Sequence, residues 1–388
     1  MTRGTDISHL VDLYRSQTPC PYPQWLESKP FWEKFALKYG ENPHQGAKIY
    51  GQQGVEGLTL VPMKEGKGGF SGTNYIDAFG GLQTLKYFKR PTVVVKKHDK
   101  SAGFATTYDR HTDRTLARLF ALARDVDSRS SFGMVMITNV PIDLETAQEM
   151  RGGLVDVVVA PDFEEGVMDT WKKNVRVLKY SGIEYLPRFV GEAKQGTYDI
   201  RQLDATHVLV QEPFLTKIRS ADDLIWDGML KGTTVATDPT PMEREDLLTA
   251  WYVTLGVPAN AILLLCDGVS VGLGAGQMDR VGCAELAITK AYQNALGLKR
   301  RKENPDAPWP QGMSWDEMDD ELGYNPIDGC VLASDAFCPF RDTADTAGKR
   351  GVTAIIQPGG SERDLESIQA VNEHNMAMGY TGERIFKH

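Results

Sequence analysis

The stretch "NAILLLCDGVSVGLGAGQMDR" at residues 260–280 decides how the second half of the chain folds. Two apolar segments flank Asp267 and Gly268, which predicts two short strands joined by a turn. Alternating glycines then lead to Gln277 and Arg280. A dinucleotide-binding loop requires G-x-G-x-x-G, but Gln277 takes the place of the third glycine, and no Gly-Lys-Ser/Thr of a phosphate-binding loop follows. Two interpretations stay open here: close backbone packing without a ligand, or a loop that presents Arg280 to a site.

The composition is typical of a soluble globular protein, since 24% of the 388 residues are charged and 41% are hydrophobic. The sequence has no apolar run of the ~20 residues that a membrane helix needs, and its N-terminus lacks a signal-peptide core. We therefore expect a cytoplasmic protein with no membrane partner. The net charge of −9 argues against nucleic-acid binding. Five cysteines form no C-x-x-C pair, which indicates neither a disulfide framework nor a metal site.

Two series of segments with the same order follow each other along the chain. In the first, a helical pattern near 75–88 precedes an apolar strand at 92–97, a helix in "TDRTLARLFALARD", and the strands "GMVMIT", "DVVVAP" and "VRVLKY". In the second, the helical "EREDLLTAWYVTLGV" precedes the segments around Asp267, a helix at about 279–297, and the strands "CVLAS", "TAIIQ" and "MAMGY". This repetition predicts a duplicated α/β unit with mostly parallel sheets and helices on both faces.

The boundaries follow from this pattern. We expect an N-terminal extension at 1–36, a first α/β subdomain at 37–200, a connector at 201–242 and a second subdomain at 243–388. Ligands of such sheets bind beyond the carboxyl ends of the strands. This rule selects four segments, namely "KKHD" after Val95, "APDFEE" after Val159, "SDAFCPFRD" after Leu332 and "YTGERIFKH" after Met378.

Two of these segments carry residue types suited to chemistry. Lys97 and His98 end an apolar strand, and a nearby cation favours the neutral imidazole that can act as a base. Adjacent strand residues face opposite sides, so both reach one site only if the backbone turns there. In "SDAFCPFRD", aromatics flanking Pro339 either fill the core or form a wall for a planar ring. A solvated, structural Lys-His pair remains the alternative.

Nine ordered stretches together resemble the transformylase portion of the bifunctional AICAR transformylase/IMP cyclohydrolase family, where AICAR is 5-aminoimidazole-4-carboxamide ribonucleotide. The similarity runs from about residue 35 to the end of the chain. The matching stretches are "LKYGENPHQ" (37–45), "NYID" (74–77), "VVVKKH" (93–98), "SSFG" (130–133), "VVVAPDFEE" (157–165), the stretch at 260–280, "LASDAFCPFRD" (332–342), "GVTAIIQPGGS" (351–361) and "RIFKH" (384–388).

The resemblance also has departures. Family members carry an N-terminal cyclohydrolase domain, whereas only about 35 residues precede the similarity here, so we expect formyl transfer without ring closure to IMP. Lys38 stands where the family usually has arginine, which keeps the charge but loses the bidentate fork. The residues after His98, "DKSAG", also differ from the common pattern, although Gly103 is retained.

The resemblance implies a role for each matching position. The catalytic group comprises Lys97, His98 and Asn260, around the formyl group in transfer. The substrate-binding group comprises Lys38, Tyr39 and Arg384 at the phosphate, Asn74 and Gly133 lining the nucleotide site, Arg280, and Phe337, Pro339 and Asp342 at the imidazole carboxamide. The folate-binding pair is Phe132 and Asp156.

The implied reaction is formyl transfer from 10-formyltetrahydrofolate to the 5-amino group of AICAR, within purine biosynthesis. The implied fold is a pair of cytidine-deaminase-like subdomains in a homodimer, with Lys97 and His98 of one chain facing Asn260, Arg280, Phe337 and Arg384 of the other. No catalytic metal is expected, and a structural potassium ion of the family is left open. The alternatives are a catalytically idle AICAR-binding sensor and a nucleotide-dependent oxidoreductase; the latter would need the glycine that Gln277 replaces.

Overall fold

The computed structural model describes residues 31–52, 55–66, 68–152, 155–194, 197–204, 206–226 and 234–388. Most of the predicted N-terminal extension, residues 1–30, lies outside the described residues, as does part of the predicted connector. None of the helices in these ranges is both long enough and apolar enough to cross a membrane.

Strands and helices alternate along the described chain. The strands are β1 (Phe31–Ala36), β2 (Lys48–Gln52), β3 (Thr59–Lys64), β4 (Thr92–Lys97), β5 (Lys100–Thr106), β6 (Met134–Thr138), β7 (Val155–Ala160), β8 (Arg176–Ser181), β9 (Asp199–Gln202), β10 (Val208–Gln211), β11 (Ile262–Cys266), β12 (Val269–Gly274), β13 (Val331–Ser334), β14 (Ala354–Gln357) and β15 (Ala377–Tyr380). The helices are α1 (Gly72–Leu85), α2 (Leu116–Asp125), α3 (Leu144–Glu149), α4 (Val167–Thr170), α5 (Pro241–Thr254), α6 (Arg280–Glu303), α7 (Trp315–Leu322), α8 (Asp342–Gly348) and α9 (Asp364–Glu373).

Eleven of these strands form one continuous sheet in the order β15-β14-β13-β11-β12-β5-β4-β6-β7-β8-β3. From its centre outward, each half has the same arrangement: a hairpin (β5-β4 or β12-β11), then three strands (β6-β7-β8 or β13-β14-β15). The halves meet where Val269 of β12 pairs with Ala105 of β5. The α/β class predicted from the alternating pattern is confirmed.

The predicted parallel order is confined to the two outer triplets. Strands β6, β7 and β8 are parallel to one another, as are β13, β14 and β15. The pairs β4-β5, β4-β6, β11-β12, β11-β13, β12-β5 and β3-β8 are antiparallel. The sheet as a whole is therefore mixed, because each half begins with a hairpin, which only antiparallel strands can form.

The turns of the two central hairpins have the same backbone conformation and the same kind of hydrogen-bond acceptor. Each is closed by two residues with positive φ, His98 and Asp99 in one half and Asp267 and Gly268 in the other, which is the backbone of a type I′ turn. In both halves a carboxylate from the preceding helix accepts the two N–H groups of the turn. In the first half this acceptor is Asp77 of α1, at 3.1 and 2.6 Å.

The glycine-rich stretch is explained by packing. A Cβ atom built on Gly274 would lie 2.1 Å from the carbonyl oxygen of Cys283, and one on Gly272 would lie 2.3 Å from that of Ala287. Both carbonyls belong to α6, so these glycines let β12 lie directly against the helix. Gly103 of β5 packs against α2 in the same way. Of the two interpretations left open by the sequence, close packing accounts for Gly272 and Gly274.

Helices cover both faces of the sheet, as predicted. Val94 and Leu263 point to the face that packs against α1 and α5. Val93 and Val95 point to the opposite face, where α2 covers the first half, and Leu264 points to α6 in the second half. Successive strand residues alternate between these faces, so every central strand is apolar on both sides and fixes the position of its terminal residues.

Candidate functional site

The strand directions place the predicted site residues along one edge of the sheet. Because β4 is antiparallel to β6, the end of β4 lies beside the residues that precede β6 and begin β7. The same edge continues through the start of β11 and the ends of β13 and β15. In the first half this is the amino edge of the parallel strands, so "APDFEE" after β7 lies at the opposite edge. The carboxyl-end rule therefore holds for β4, β13 and β15, and fails for β7.

The turn after β4 exposes His98 and anchors Lys97. The ammonium of Lys97 donates to the carbonyl oxygens of Ser130 and Phe132, at 2.9 and 2.6 Å. Lys97 thereby joins β4 to the loop that carries Phe132, whose ring is 71% exposed, and Gly133. The imidazole of His98 is exposed to solvent. The backbone turn that the sequence required for both side chains to reach one site is present.

A second group surrounds the N-terminus of α1. The loop carrying Lys38 and Tyr39 is held by a hydrogen bond from the Lys38 N–H to the Phe70 carbonyl, at 2.9 Å. Asn74 forms a capping box with Ser71: its amide oxygen accepts from the Ser71 N–H at 3.0 Å, and its own N–H donates to the Ser71 hydroxyl at 3.3 Å. Such a box satisfies two free N–H groups of the helix.

Asp156 is connected to this group through one arginine. Its carboxylate accepts from the Arg176 guanidinium at 2.7 Å, and the same guanidinium donates to the Gly69 carbonyl at 2.7 Å. Gly69 is in the loop adjoining Phe70 and so lies next to the segment of Lys38. Both predicted folate residues, Phe132 and Asp156, therefore lie at the starts of neighbouring strands, β6 and β7.

A third group is built around Arg280, the first residue of α6. Its buried guanidinium forms an ion pair with Asp335, which follows β13, and donates to the amide oxygen of Asn260 at 2.7 Å. The Asn260 amide nitrogen donates to the Gln277 carbonyl at 2.8 Å. Burial raises the pKa of Asp335, although the Arg280 charge opposes this shift. Within one chain Arg280 thus fixes the orientation of the Asn260 amide.

The remaining predicted residues follow the ends of β13 and β15. Phe337 and Pro339 are partly buried in the loop that leads to Asp342, the first residue of α8. Arg384 is exposed and stacks on the Phe386 ring, with 4.5 Å between guanidinium carbon and ring centroid. The Ile385 N–H donates to the Asp335 carbonyl at 3.0 Å, which ties the segment of Arg384 to the loop of Phe337.

The C-terminal segment connects the first and third groups within one chain. The ammonium of Lys387 lies 3.0 and 3.1 Å from the carboxylate oxygens of Asp99, and the Lys387 carbonyl accepts from the Ala259 N–H at 2.9 Å. Lys96 is fully buried behind the turn and donates to the carbonyls of Asp99 and Gly256, at 3.3 and 3.5 Å. Burial lowers the pKa of Lys96 to about 8, and Lys387 contributes to this shift.

Sequence reasoning did not assign a role to the residues that hold the site together. Asp77, Lys96, Asp99 and Lys387 all contact the turn of His98 or its partners. Asp77 lies in "NYID" and Lys387 in "RIFKH", so the motifs contained both. The available signal was an aspartate at the sixth residue of the helix before each central hairpin, Asp77 in α1 and Asp246 in α5.

A cavity of about 330 Å³ opens beside Lys97. It is lined by two further cations, Arg129 and Lys290, together with Asp127 and the Trp309 ring. The lining thus has three cationic side chains and one carboxylate, and this excess of positive charge suits an anionic group. Within the described ranges, no cluster of three or more His, Cys, Asp or Glu side chains is arranged to hold a metal ion.

The duplicated α/β fold places a Lys-His turn, the Asn260 amide and the buried Arg280 along one edge of the sheet. The chain belongs to the AICARFT/IMPCHase bienzyme family, whose model matches residues 9–290. This confirms the family resemblance drawn from the nine motifs.

The chain is also similar to curated proteins that are named as bifunctional purine biosynthesis proteins. The chain is 35% identical to a bifunctional purine biosynthesis protein PurH of Magnetococcus marinus, over 91% of this chain and 59% of the relative. It is 32% identical to the PurH protein of Aquifex aeolicus, over 93% of this chain and 61% of the relative. It is 35% identical to the PurH protein of Acetivibrio thermocellus, over 95% of this chain and 62% of the relative. The chain thus spans about three fifths of the length of these curated relatives.

Proposed function

We propose that this chain transfers the formyl group of 10-formyltetrahydrofolate to the 5-amino group of AICAR, giving formyl-AICAR and tetrahydrofolate. The observation that carries the proposal is the placement of Lys97, His98 and Asn260 along the same sheet edge, in a chain of this family. The proposal concerns formyl transfer alone. It uses no catalytic metal, and no step is assigned to the potassium ion that the resemblance implies.

The acceptor amine is a weak nucleophile, because its lone pair is delocalised into the imidazole ring. Positioning must therefore supply much of the rate. We assign His98 as the base that takes the amine proton. Its support is local: the backbone of His98 is fixed by Asp77, while the imidazole remains exposed and has no hydrogen-bond partner among the described residues.

The oxyanion of the tetrahedral intermediate needs donors already in place. An ammonium has three N–H groups, and Lys97 uses two of them on backbone carbonyls, which leaves one for the oxyanion. The Asn260 amide has two N–H groups and uses one on Gln277. Since Arg280 occupies the amide oxygen, the amide cannot turn over without losing that bond.

Ligand contacts are proposed from the same edge. The exposed cations Lys38 and Arg384, with Tyr39, bind the ribonucleotide phosphate, next to Asn74 and Gly133. Phe337, Pro339 and Asp342 contact the imidazole carboxamide. The exposed Phe132 ring offers a stacking surface for the pterin, beside Asp156.

Incubation of the purified chain with AICAR and 10-formyltetrahydrofolate tests the proposal. Tetrahydrofolate and formyl-AICAR should form in equal amounts. Absorbance measures the first product and mass spectrometry the second. His98→Ala and Lys97→Ala should each lower kcat by at least ~100-fold, the scale of a positioned acid, base or oxyanion donor. AICAR binding without turnover in the wild-type chain would instead indicate the idle sensor.

We further propose that two copies of the chain share each site, in a homodimer. The support is apolar exposure along the site edge: Met278 is 100% exposed, Phe132 71% and Phe340 46%. Apolar side chains exposed along one edge are candidates for contact with a second copy of the chain. The competing arrangement is a site within one chain, which the contact between Lys387 and Asp99 favours.

Mixing two inactive variants separates these arrangements. His98→Ala is mixed with Arg384→Ala, because Arg384 is exposed and its loss leaves no buried charge, unlike Arg280. If His98 of one copy faces Arg384 of the other, each mixed dimer holds one intact site, and up to about a quarter of full activity returns by random pairing. If subunit exchange is verified and no activity returns, the shared site is wrong.

A further inference from the structure

Two cysteines face each other across a pair of central strands. The ladder between β11 and β13 pairs Leu263 with Ala333 and Leu265 with Val331. One position further along this antiparallel ladder, Cys266 at the end of β11 lies opposite Cys330, the residue before β13. Neither cysteine belongs to the candidate site, because Cys266 is at the opposite end of β11 from Asn260.

The hydrogen bonds show which kind of pair this is. At the other end of the ladder, Asp335 lies opposite Ala261. The N–H of Asp335 donates to the Ala261 carbonyl at 3.3 Å, so these two residues form a hydrogen-bonded pair. Because the two kinds of pair alternate along an antiparallel ladder, Cys266 and Cys330 form a non-hydrogen-bonded pair. In agreement, the Cys330 N–H donates to Ile327 and its carbonyl accepts from Thr353. Such pairs bring Cα atoms to ~4.5 Å, within the range that a disulfide spans.

The side chains differ in access to solvent. Cys266 is partly exposed, whereas Cys330 is fully buried. The Cys330 thiol hydrogen-bonds to Cys266 and lowers the pKa of Cys266, while burial and nearby carboxylates oppose this shift. The other described cysteines, Cys283 and Cys338, are buried, and burial raises the pKa of each to about 12. A partly exposed thiol thus has a buried thiol in contact with it.

We propose that Cys266 and Cys330 form a reversible disulfide when the protein meets an oxidant of the peroxide class. The Cys266 thiolate attacks one oxygen of hydrogen peroxide, giving a sulfenic acid and releasing hydroxide, which takes up the thiol proton to form water. The Cys330 sulfur then attacks the Cys266 sulfur, and the hydroxyl leaves with the Cys330 proton as a second water. In sum, two thiols are oxidised to one disulfide and one peroxide is reduced to two waters.

The disulfide would join the two strands next to the turn of Asp267 and Gly268. Strand β11 would then be covalently tied to β13 at one end and held by Arg280 through Asn260 at the other. The inference does not rest on the proposed function, because the thiols and the candidate site lie at opposite edges of the sheet.

Peptide mapping of the intact chain under non-reducing conditions tests the proposal. The chain is treated with a modest excess of hydrogen peroxide, quenched and digested, and the peptides are analysed by mass spectrometry. We expect a peptide pair linked through Cys266 and Cys330, two hydrogens lighter than the sum of the reduced peptides, which disappears after treatment with dithiothreitol. Cys283 and Cys338 should remain reduced at the same peroxide dose.

Two variants identify the order of events. Cys330→Ser should trap Cys266 as a sulfenic acid that dimedone labels, and Cys266→Ser should leave Cys330 reduced. If Cys266 in the wild-type chain is labelled or over-oxidised without linkage, the proposal is wrong. Linkage of Cys266 to another cysteine, or no reaction of either thiol, would also overturn it. These wild-type outcomes decide the question even if a variant fails to fold.

Discussion

Replacing Asp77 by asparagine should separate the stability of the His98 turn from its catalytic use. The Asp77 carboxylate accepts from the N–H groups of His98 and Asp99, at 3.1 and 2.6 Å. Hydrogen bonds to a charged acceptor contribute about 1.5–3 kcal/mol each. Asparagine keeps one acceptor oxygen, so one of the two hydrogen bonds can remain. Burial raises the pKa of Asp77, which means that the charged carboxylate is itself disfavoured at this position. We expect a net loss of about 2 kcal/mol in the free energy of unfolding.

The same substitution should reduce turnover much more than stability alone would. With one bond lost, the turn relaxes and the imidazole of His98 moves away from its position in the site. A displacement of about 1 Å in a catalytic group lowers the rate on the order of 100-fold. We therefore expect kcat of Asp77→Asn to fall by about that factor, while the KM for AICAR changes little.

Asp246 provides a matched control within the same chain. It accepts from the N–H groups of Asp267 and Gly268, at 2.7 and 2.9 Å, and from the hydroxyl of Tyr108 at 2.6 Å. Asp246→Asn therefore loses at least as much stability as Asp77→Asn. Because its turn carries no proposed catalytic residue, kcat should stay within about twofold of the wild type.

Urea unfolding followed by circular dichroism gives the free energies, and formyl transfer is measured at urea-free conditions where both variants are folded. The reasoning is refuted if both variants lose kcat equally, since activity would then follow stability alone. It is also refuted if Asp77→Asn loses about 2 kcal/mol of stability with unchanged kcat.

Three further results are expected. Gly274→Ala should destabilise the chain by about 1–3 kcal/mol, because the added methyl group meets a backbone carbonyl of α6. Gly46→Ala should cause no such loss, because Gly46 has open space around it. The midpoints of urea unfolding compare the two variants. Burial raises the pKa of the Asp364 carboxyl from 3.8 to about 6. The folded state therefore binds the carboxyl proton more tightly than the unfolded state does, and the free energy of unfolding declines as the pH rises between these two values. Asp364→Asn should lack this decline, which amounts to at most about 3 kcal/mol, when unfolding is measured from pH 4 to 7. Lys387→Met removes a partly exposed ion pair, so stability should change by less than about 1 kcal/mol while kcat falls several-fold; equal kcat would show that Lys387 does not position the turn.

Part of the fold could be predicted from local pattern alone. The Asp-Gly dipeptide at 267–268 is a strong hairpin signal, and the predicted turn there is present. The equivalent turn, His98 and Asp99, has no glycine, and no local pattern predicted that a strand follows it. Its positive φ angles are stabilised by Asp77, a contact that local propensity does not contain.

Strand direction was harder to predict, for a physical reason. Central strands such as β4 and β11 are buried on both faces, so they read as continuous apolar runs whether their neighbours are parallel or antiparallel. The candidate site residues came from the family motifs, and their assignment to catalysis or binding stays a prediction. Their positioning contacts join residues far apart in the chain, such as Lys387 and Asp99, which no local pattern connects.

Each turn of the duplicated hairpin is held by the other half of the molecule. Asp267 of the second half binds Arg110, His111 and Arg114 of the first, at 2.6, 2.9 and 2.5 Å. Asp99 of the first half binds Lys387 of the second. Neither half can therefore unfold without releasing charged partners in the other, so the chain should lose both halves in one cooperative transition. A half produced alone would expose the edge of its central hairpin, which is a template for aggregation.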